Sequence, residues 1–141
     1  MMIERYALYD TALLRDTFHL TQGLPKGIKP RYNIAPSQQA PVVVRRGDEI
    51  ITEQMQWGFV SQNAKDTNSI FRYKTYNIRS EDIFKKVSWD KAVRTRRCLV
   101  PVNGFYVWSK TANGKQPYLV QTKDRSLIAL AGVYSSWTDS E

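Results

Sequence analysis

The chain has 141 residues, 42% hydrophobic and 24% charged, with 21 Lys and Arg against 13 Asp and Glu for a formal net charge of +8. This balance excludes a disordered polyelectrolyte, and no apolar run approaches the roughly 20 residues that a membrane-crossing helix needs. The single cysteine, Cys98, excludes an internal disulfide and fits a reducing cytoplasm, and with one histidine it is too little for a Cys/His zinc cage. Met1-Met2-Ile3-Glu4-Arg5 lacks the apolar core of a signal peptide, so a cytoplasmic location is expected, nucleoid-associated if the protein binds DNA. The basic surplus suits a polyanion, whose counterions are released on binding, and equally suits plain solubility.

In chain order, residues 3–9 alternate weakly and read as a short strand. Thr11 is placed to cap a helix in which Leu13, Leu14, Thr17, Phe18 and Leu20 recur at helical spacing. Gly23, Pro25, Gly27 and Pro30 break the pattern into a loop. A β-branched run over 40–44 leads to a hairpin turn at Arg45-Arg46-Gly47-Asp48, with 50–60 as the partner strand and a polar loop over 62–69. Residues 80–92 carry Ile83, Phe84, Val87 and Ala92 and predict a helix interrupted near Ser88-Trp89-Asp90. Cys98 to Val102 is a compact apolar strand, and 105–108 begins another. A turn at Asn113-Gly114 precedes a strand over 118–121, and a turn at Lys123-Asp124 precedes a buried strand over 127–134. The outcome is a strand-dominated α+β domain of antiparallel hairpins with inserted helices, a single domain over 1–141 without repeats or linkers.

Six blocks stand out: Arg5-Tyr6; Asn33-Ile34-Ala35-Pro36; Met55-Gln56-Trp57-Gly58-Phe59-Val60; Asn77-Ile78-Arg79-Ser80-Glu81; the run from Arg97 to Trp108 containing Gly104-Phe105-Tyr106; and Ala131-Gly132-Val133-Tyr134. In this order they resemble the SRAP (SOS response-associated peptidase) family, from about Arg5 to Trp137. The resemblance implies a fold that shields abasic sites in single-stranded DNA. In that family Met1 is removed to expose a cysteine, whose thiol and α-amine close a ring on the aldehyde of the abasic site. The α-amine suits imine formation because a pKa of about 8 leaves a usable neutral fraction. An Asn, a Glu and a His shape the pocket, and DNA is held by Arg side chains and kinked over an aromatic and apolar wedge.

Carried over residue by residue, Asn77 occupies the family's Asn position, Ile3 stands where the cysteine belongs, and Val107 replaces the Glu. The family's His falls after the last residue of this sequence, and Ser61 and Asn63 replace a later Pro and Trp. Met1-Met2 is a poor substrate for initiator removal, so the chain is expected to begin at Met1. The resemblance also implies strands beyond Trp137, so the family's C-terminal strands are expected to be missing and the sheet edges open to pairing with another chain.

Arg5, Pro36, Trp57 and Arg79 are the nucleic-acid-binding candidates, and Asn77 the pocket-orienting one. Each has a plainer alternative. Asn77 can be a buried amide satisfying a loop, Arg79 can pair with Glu81 or Arg5 with Glu4, and Trp57 can be core. Cys98 reads as an inert buried thiol, His19 as a surface or packing residue, and the basic pairs Arg45-Arg46 and Lys85-Lys86 and the run 94–97 as solvated faces.

No cofactor or metal is expected. The leading expectation is a SRAP-family protein of the DNA-damage (SOS) response that binds single-stranded or abasic DNA without the thiazolidine crosslink. The alternatives are an abasic-site processing enzyme using the α-amine of Met1, and a scaffold that keeps the fold and pairs with another protein.

Overall fold

The structure, a computed structural model, describes residues 2–139. The expectation for the α-amine of Met1 therefore lies outside the described residues. Eight strands form two four-stranded antiparallel sheets. In chain order they are β1 Tyr6–Leu8, β2 Arg31–Ile34, β3 Gln39–Arg46, β4 Glu49–Gln56, β5 Arg97–Val102, β6 Gly104–Thr111, β7 Gly114–Val120 and β8 Ile128–Val133. The sheet orders are β2-β1-β6-β7 and β4-β3-β5-β8. Three short helices, α1 Leu14–Phe18, α2 Ser69–Arg72 and α3 Val87–Thr95, fill the connections. The α+β class read from the sequence is the one observed.

The strands follow from local chemistry. The β-branched run in β3 buries Val42, Val43 and Val44, and Gly47 at φ 62 supplies the left-handed residue of the turn that sets Arg46 opposite Glu49. Tyr6, Leu8, Ile34, Ala40, Val43 and Val102 pack with Leu14 and Leu20 into the main core between the sheets. A smaller cluster on the other face of the second sheet joins Val42, Val44 and Cys98. A third stacks Phe59 on Trp89, centroids 4.2 Å apart, beside Ala92.

Asn103 lies between β5 and β6, where the chain passes from one sheet to the other, and is 1% exposed. Its Oδ1 accepts from Tyr9 N at 2.7 Å and Asp10 N at 3.0 Å, and its Nδ2 donates to Asp10 Oδ2 at 2.7 Å. Its own N–H donates to Ala7 O at 2.8 Å. One amide thus ties the end of β1 to the sheet crossover, 94 residues away in sequence.

Several expectations are corrected. Thr11 caps nothing: Asp10 precedes the first helical turn without a side-chain cap, its carboxylate engaged by Asn103. The strand after Gly47 ends at Gln56 rather than running to 60, because Gly58 at φ 136 turns the chain away. The helical stretch over 80–86 is a pair of turns, since the backbone at Lys86 is extended and α3 begins only at Val87. β2 was not foreseen, its four residues being too few to show a period. β8 alternates instead of being buried throughout, because it is an edge strand with Ala129 and Ala131 exposed.

Cys98 is buried against Gly132, and burial pushes its thiol up from the ordinary 9.0 to about 11. Native protein should therefore resist a thiol reagent such as Ellman's at pH 8 and react fully once unfolded in guanidinium. The folded state also holds a proton that the unfolded chain releases above the ordinary value. Stability should accordingly fall as pH rises between 9.0 and about 11, and a Cys98→Ala variant should lose the part of that slope below pH 10.0, above which the buried Tyr6 phenol contributes in the same sense. For Asn103→Ala, urea denaturation should show a loss of about 3 kcal/mol, since three part-buried polar groups lose their partner together.

Candidate functional site

The first strand and its approach form one wall of a cleft. Glu4, Arg5, Ala35, Pro36, Phe71 and Tyr76 line about 340 Å³. The backbone carbonyl of Arg5 accepts from Tyr106 N at 3.0 Å, which extends the pairing of β1 with β6 and fixes where the Arg5 side chain emerges. Pro36 is presented by a tight turn in which Gln38 N donates to Ala35 O at 3.2 Å and Ser37 adopts φ 71. Gln38 Oε1 accepts from Ala35 N at 3.1 Å and from Arg31 at 2.6 Å, so the loop is held from both sides.

The third wall depends on Trp57-Gly58. Ser37 N donates to Trp57 O at 2.7 Å and Trp57 N to Gln38 O at 2.9 Å, which joins this segment to the Pro36 turn. A Cβ at Gly58 would sit 2.5 Å from the Ile70 side chain, and the φ of 136 disfavours any other residue. The chain then doubles back, Phe59 N donating to Thr75 O at 2.9 Å, which sets α2 and Tyr76 beside Trp57. Trp57 Nε1 donates to Tyr76 O at 2.8 Å, and its ring meets Tyr6 edge-on at 5.1 Å and Tyr76 at 6.1 Å. Trp57 therefore supports the cleft from beneath, half-buried against the main core, its only polar donor already used. Burial also pushes the Tyr6 phenol well above its usual range.

Asn77 Nδ2 donates to Ile3 O at 2.6 Å. The amide thus anchors the backbone just before the cleft-lining Glu4 and Arg5. Ile3 itself packs against the main core, so an apolar side chain fills the place expected for a thiol. Val107 is half-buried in β6 opposite Tyr118. Arg79 points outward, its side chain 78% exposed and 4.0 Å from Glu81, a separation and exposure at which an ion pair contributes little. It does not line the cleft. The structure thus brings Arg5 and Pro36 together at the cleft, places Trp57 under it and Asn77 at its edge, and leaves Arg79 apart.

Glu4, Phe71 and Tyr76 were missed as lining residues. For Phe71 and Tyr76 the signal is the alternation Phe71-Arg72-Tyr73-Lys74-Thr75-Tyr76, aromatic rings interleaved with cations after the polar loop over 62–69, and for Glu4 there is none. Phe71 and Tyr73 are 56% and 69% exposed, with the Arg72 guanidinium 5.9 Å from the Tyr73 ring. His19 is exposed at φ 53 after α1 and serves as the left-handed end of that helix. Among the described residues no cluster of His, Cys, Asp and Glu could hold a metal, and no helix is long and apolar enough to cross a membrane.

Two antiparallel sheets sharing a core thus frame an aromatic cleft that carries Arg5 and Glu4 beside the first strand. The chain belongs to the SOS response associated peptidase (SRAP) family, whose family model matches residues 2–141. It is 32% identical over 135 residues to the abasic site processing protein YoaM of Bacillus subtilis, covering 94% of this chain and 58% of that protein. It is 33% identical over 128 residues to YoqW of Bacillus phage SPbeta, covering 89% and 56%. To HMCES of Gallus gallus it is 29% identical over 137 residues, covering 77% and 41%. The chain thus spans 58% of the length of YoaM and less of the other two. A solved protein from Bacteroides thetaiotaomicron shares the fold at a TM-score of 0.82 and 20% identity, covering 97% of this chain and 62% of that one. A second, from Bordetella bronchiseptica, matches at 0.76 and 17%, covering 99% and 66%.

If Asn77 anchors the approach to β1, Asn77→Ala should speed amide exchange over residues 2–6 and lower stability by about 1 kcal/mol. Unchanged exchange there would show that the bond to Ile3 O carries no weight.

Proposed function

We propose that this SRAP-family protein binds single-stranded or abasic-site DNA in the cleft beside β1 and holds it without a thiazolidine crosslink. The observation that carries this reading is Ile3: its side chain is packed toward the core while the neighbouring Glu4 and Arg5 face the cleft. The reading thus has an apolar side chain where the family's thiol is expected, while Arg5 keeps a cation in the cleft. Support comes from the joint lining by Arg5, Pro36, Phe71 and Tyr76, a cation and rings suited to unstacked bases, with the exposed Glu4 carboxylate beside them. The net charge of +8 favours the same partner. Arg79, exposed and weakly paired, supplies a second phosphate contact outside the cleft. The relatives' names, abasic site processing proteins, point to the same DNA. The reading places the protein in the cytoplasm with the nucleoid, and its open sheet edges remain available to another chain.

A second reading retains covalent chemistry through the α-amine of the chain. It is favoured by the Asn77–Ile3 bond, which holds the backbone at Ile3 beside the cleft-lining Glu4 and Arg5.

Fluorescence anisotropy with labelled single-stranded DNA tests the first reading. Arg5→Ala should weaken binding about three- to tenfold and lower the salt slope by about one. Absence of binding at low salt would overturn it. Mixing with abasic single-stranded DNA should yield no heat-stable adduct on a denaturing gel. An adduct appearing only after borohydride would favour the second reading, and one without reductant would overturn the absence of crosslinking.

A further inference from the structure

A separate cavity of about 190 Å³ lies where the segment after Phe59 meets the start of α3. Its lining includes Ser61, Asn63, Ser88, Lys91 and Arg96, with Phe59 as an apolar wall. From these residues we infer a phosphate-binding site, distinct from the cleft beside β1.

The charges make the case first. No carboxylate lines the cavity, and neither Lys91 nor Arg96 has an ion-pair partner among the described residues. Two other cations of this region are neutralised locally: Arg94 binds Asp90 at 2.9 Å and Lys85 binds Asp82 at 2.8 Å. Arg96 is half-buried, so its charge lies partly out of water and attracts an anion more strongly than a surface cation would.

The neutral groups agree. Ser61 Oγ and Ser88 Oγ lie 3.2 Å apart and either can donate, so one hydroxyl hydrogen remains for a ligand. Asn63 adds an amide. Ser135 Oγ already donates to Val60 O at 2.6 Å, and so closes the cavity rather than serving the ligand. Ser88 lies in the first turn of the nine-residue α3, which has no side-chain cap, leaving backbone N–H groups at the same place. Two cations, a hydroxyl, an amide and an uncapped helical turn suit an anion with several acceptor oxygens, hence phosphate rather than a single carboxylate. The wall is rigid, because Phe59 is stacked on the buried Trp89.

The phosphate can belong to a DNA strand or be free in solution, and one experiment separates these sources. Inorganic phosphate is titrated into the ¹⁵N-labelled full chain, following the amides of Ser61, Ser88 and Arg96. Saturable shifts confined to this region are expected, with affinity about tenfold weaker in a Lys91→Ala/Arg96→Ala variant. Lys91→Ala alone, at an exposed position, guards against a folding defect in the double variant and should weaken binding in the same direction. Displacement of phosphate by oligothymidylate would assign the site to a DNA backbone, and failure to displace it would assign a free phosphate. No saturable shift, or shifts equal in wild type and both variants, would overturn the site. The titration does not depend on the cleft beside β1: loss of DNA binding by Arg5→Ala would leave it unchanged.

Discussion

The carboxamide of Asn103 holds the molecule together at its least local point. The chain must leave one sheet at Val102 and enter the other at Gly104, and the first strand must arrive beside that crossover from the opposite end of the sequence. A buried amide with both donor and acceptor capacity satisfies the Tyr9 and Asp10 N–H groups and the Asp10 carboxylate at once. No apolar side chain could do this, since Tyr9 and Asp10 would lose the acceptor that satisfies them. With β1 held there, Tyr6 pairs with Phe105 and the Arg5 carbonyl receives Tyr106 N, so the direction of the Arg5 side chain is set.

The third wall of the cleft rests on a steric condition. Gly58 passes over Ile70 with no room for a methyl group, and this close approach lets Trp57 hydrogen-bond Tyr76 while α2 brings Phe71 to the cleft. Trp57 thus acts through its neighbours: its N–H, its edge against Tyr6 and its backbone bonds to Ser37 and Gln38 join three segments distant in sequence. The exposed rings of Phe71 and Tyr73 stand on that support.

The departures from the family pattern form a consistent set in physical terms. Ile3 is half-buried against the core, and Val107 places a hydrocarbon where the resemblance leads one to expect a proton carrier. Under the proposed reading, the features that would hold a strand are the Arg5 guanidinium, the Pro36 turn and the Phe71 and Tyr76 rings, with the Asn77 amide anchoring the backbone beside them. Binding and covalent capture make separate demands on a site, so one can persist while the residues of the other change.

Much of the architecture was legible in the residues. The β-branched run of β3, the Gly47 turn and the apolar block at Cys98 announce strands through local preference, and ordered motifs such as Trp57-Gly58 carry the family. The sequence by itself therefore determined the α+β class, the hairpin at Gly47 and the basic surplus, because each follows from neighbours along the chain. The tertiary structure alone decided that Arg5 and Pro36 meet, that Trp57 lies beneath the cleft rather than on it, that Ile3 turns to the core and that Lys91 and Arg96 line one cavity. Those facts depend on contacts across tens of residues. Periodicity reports only which side of a strand or helix a residue occupies, not what the crossover at Asn103 and the close approach at Gly58 bring to face it.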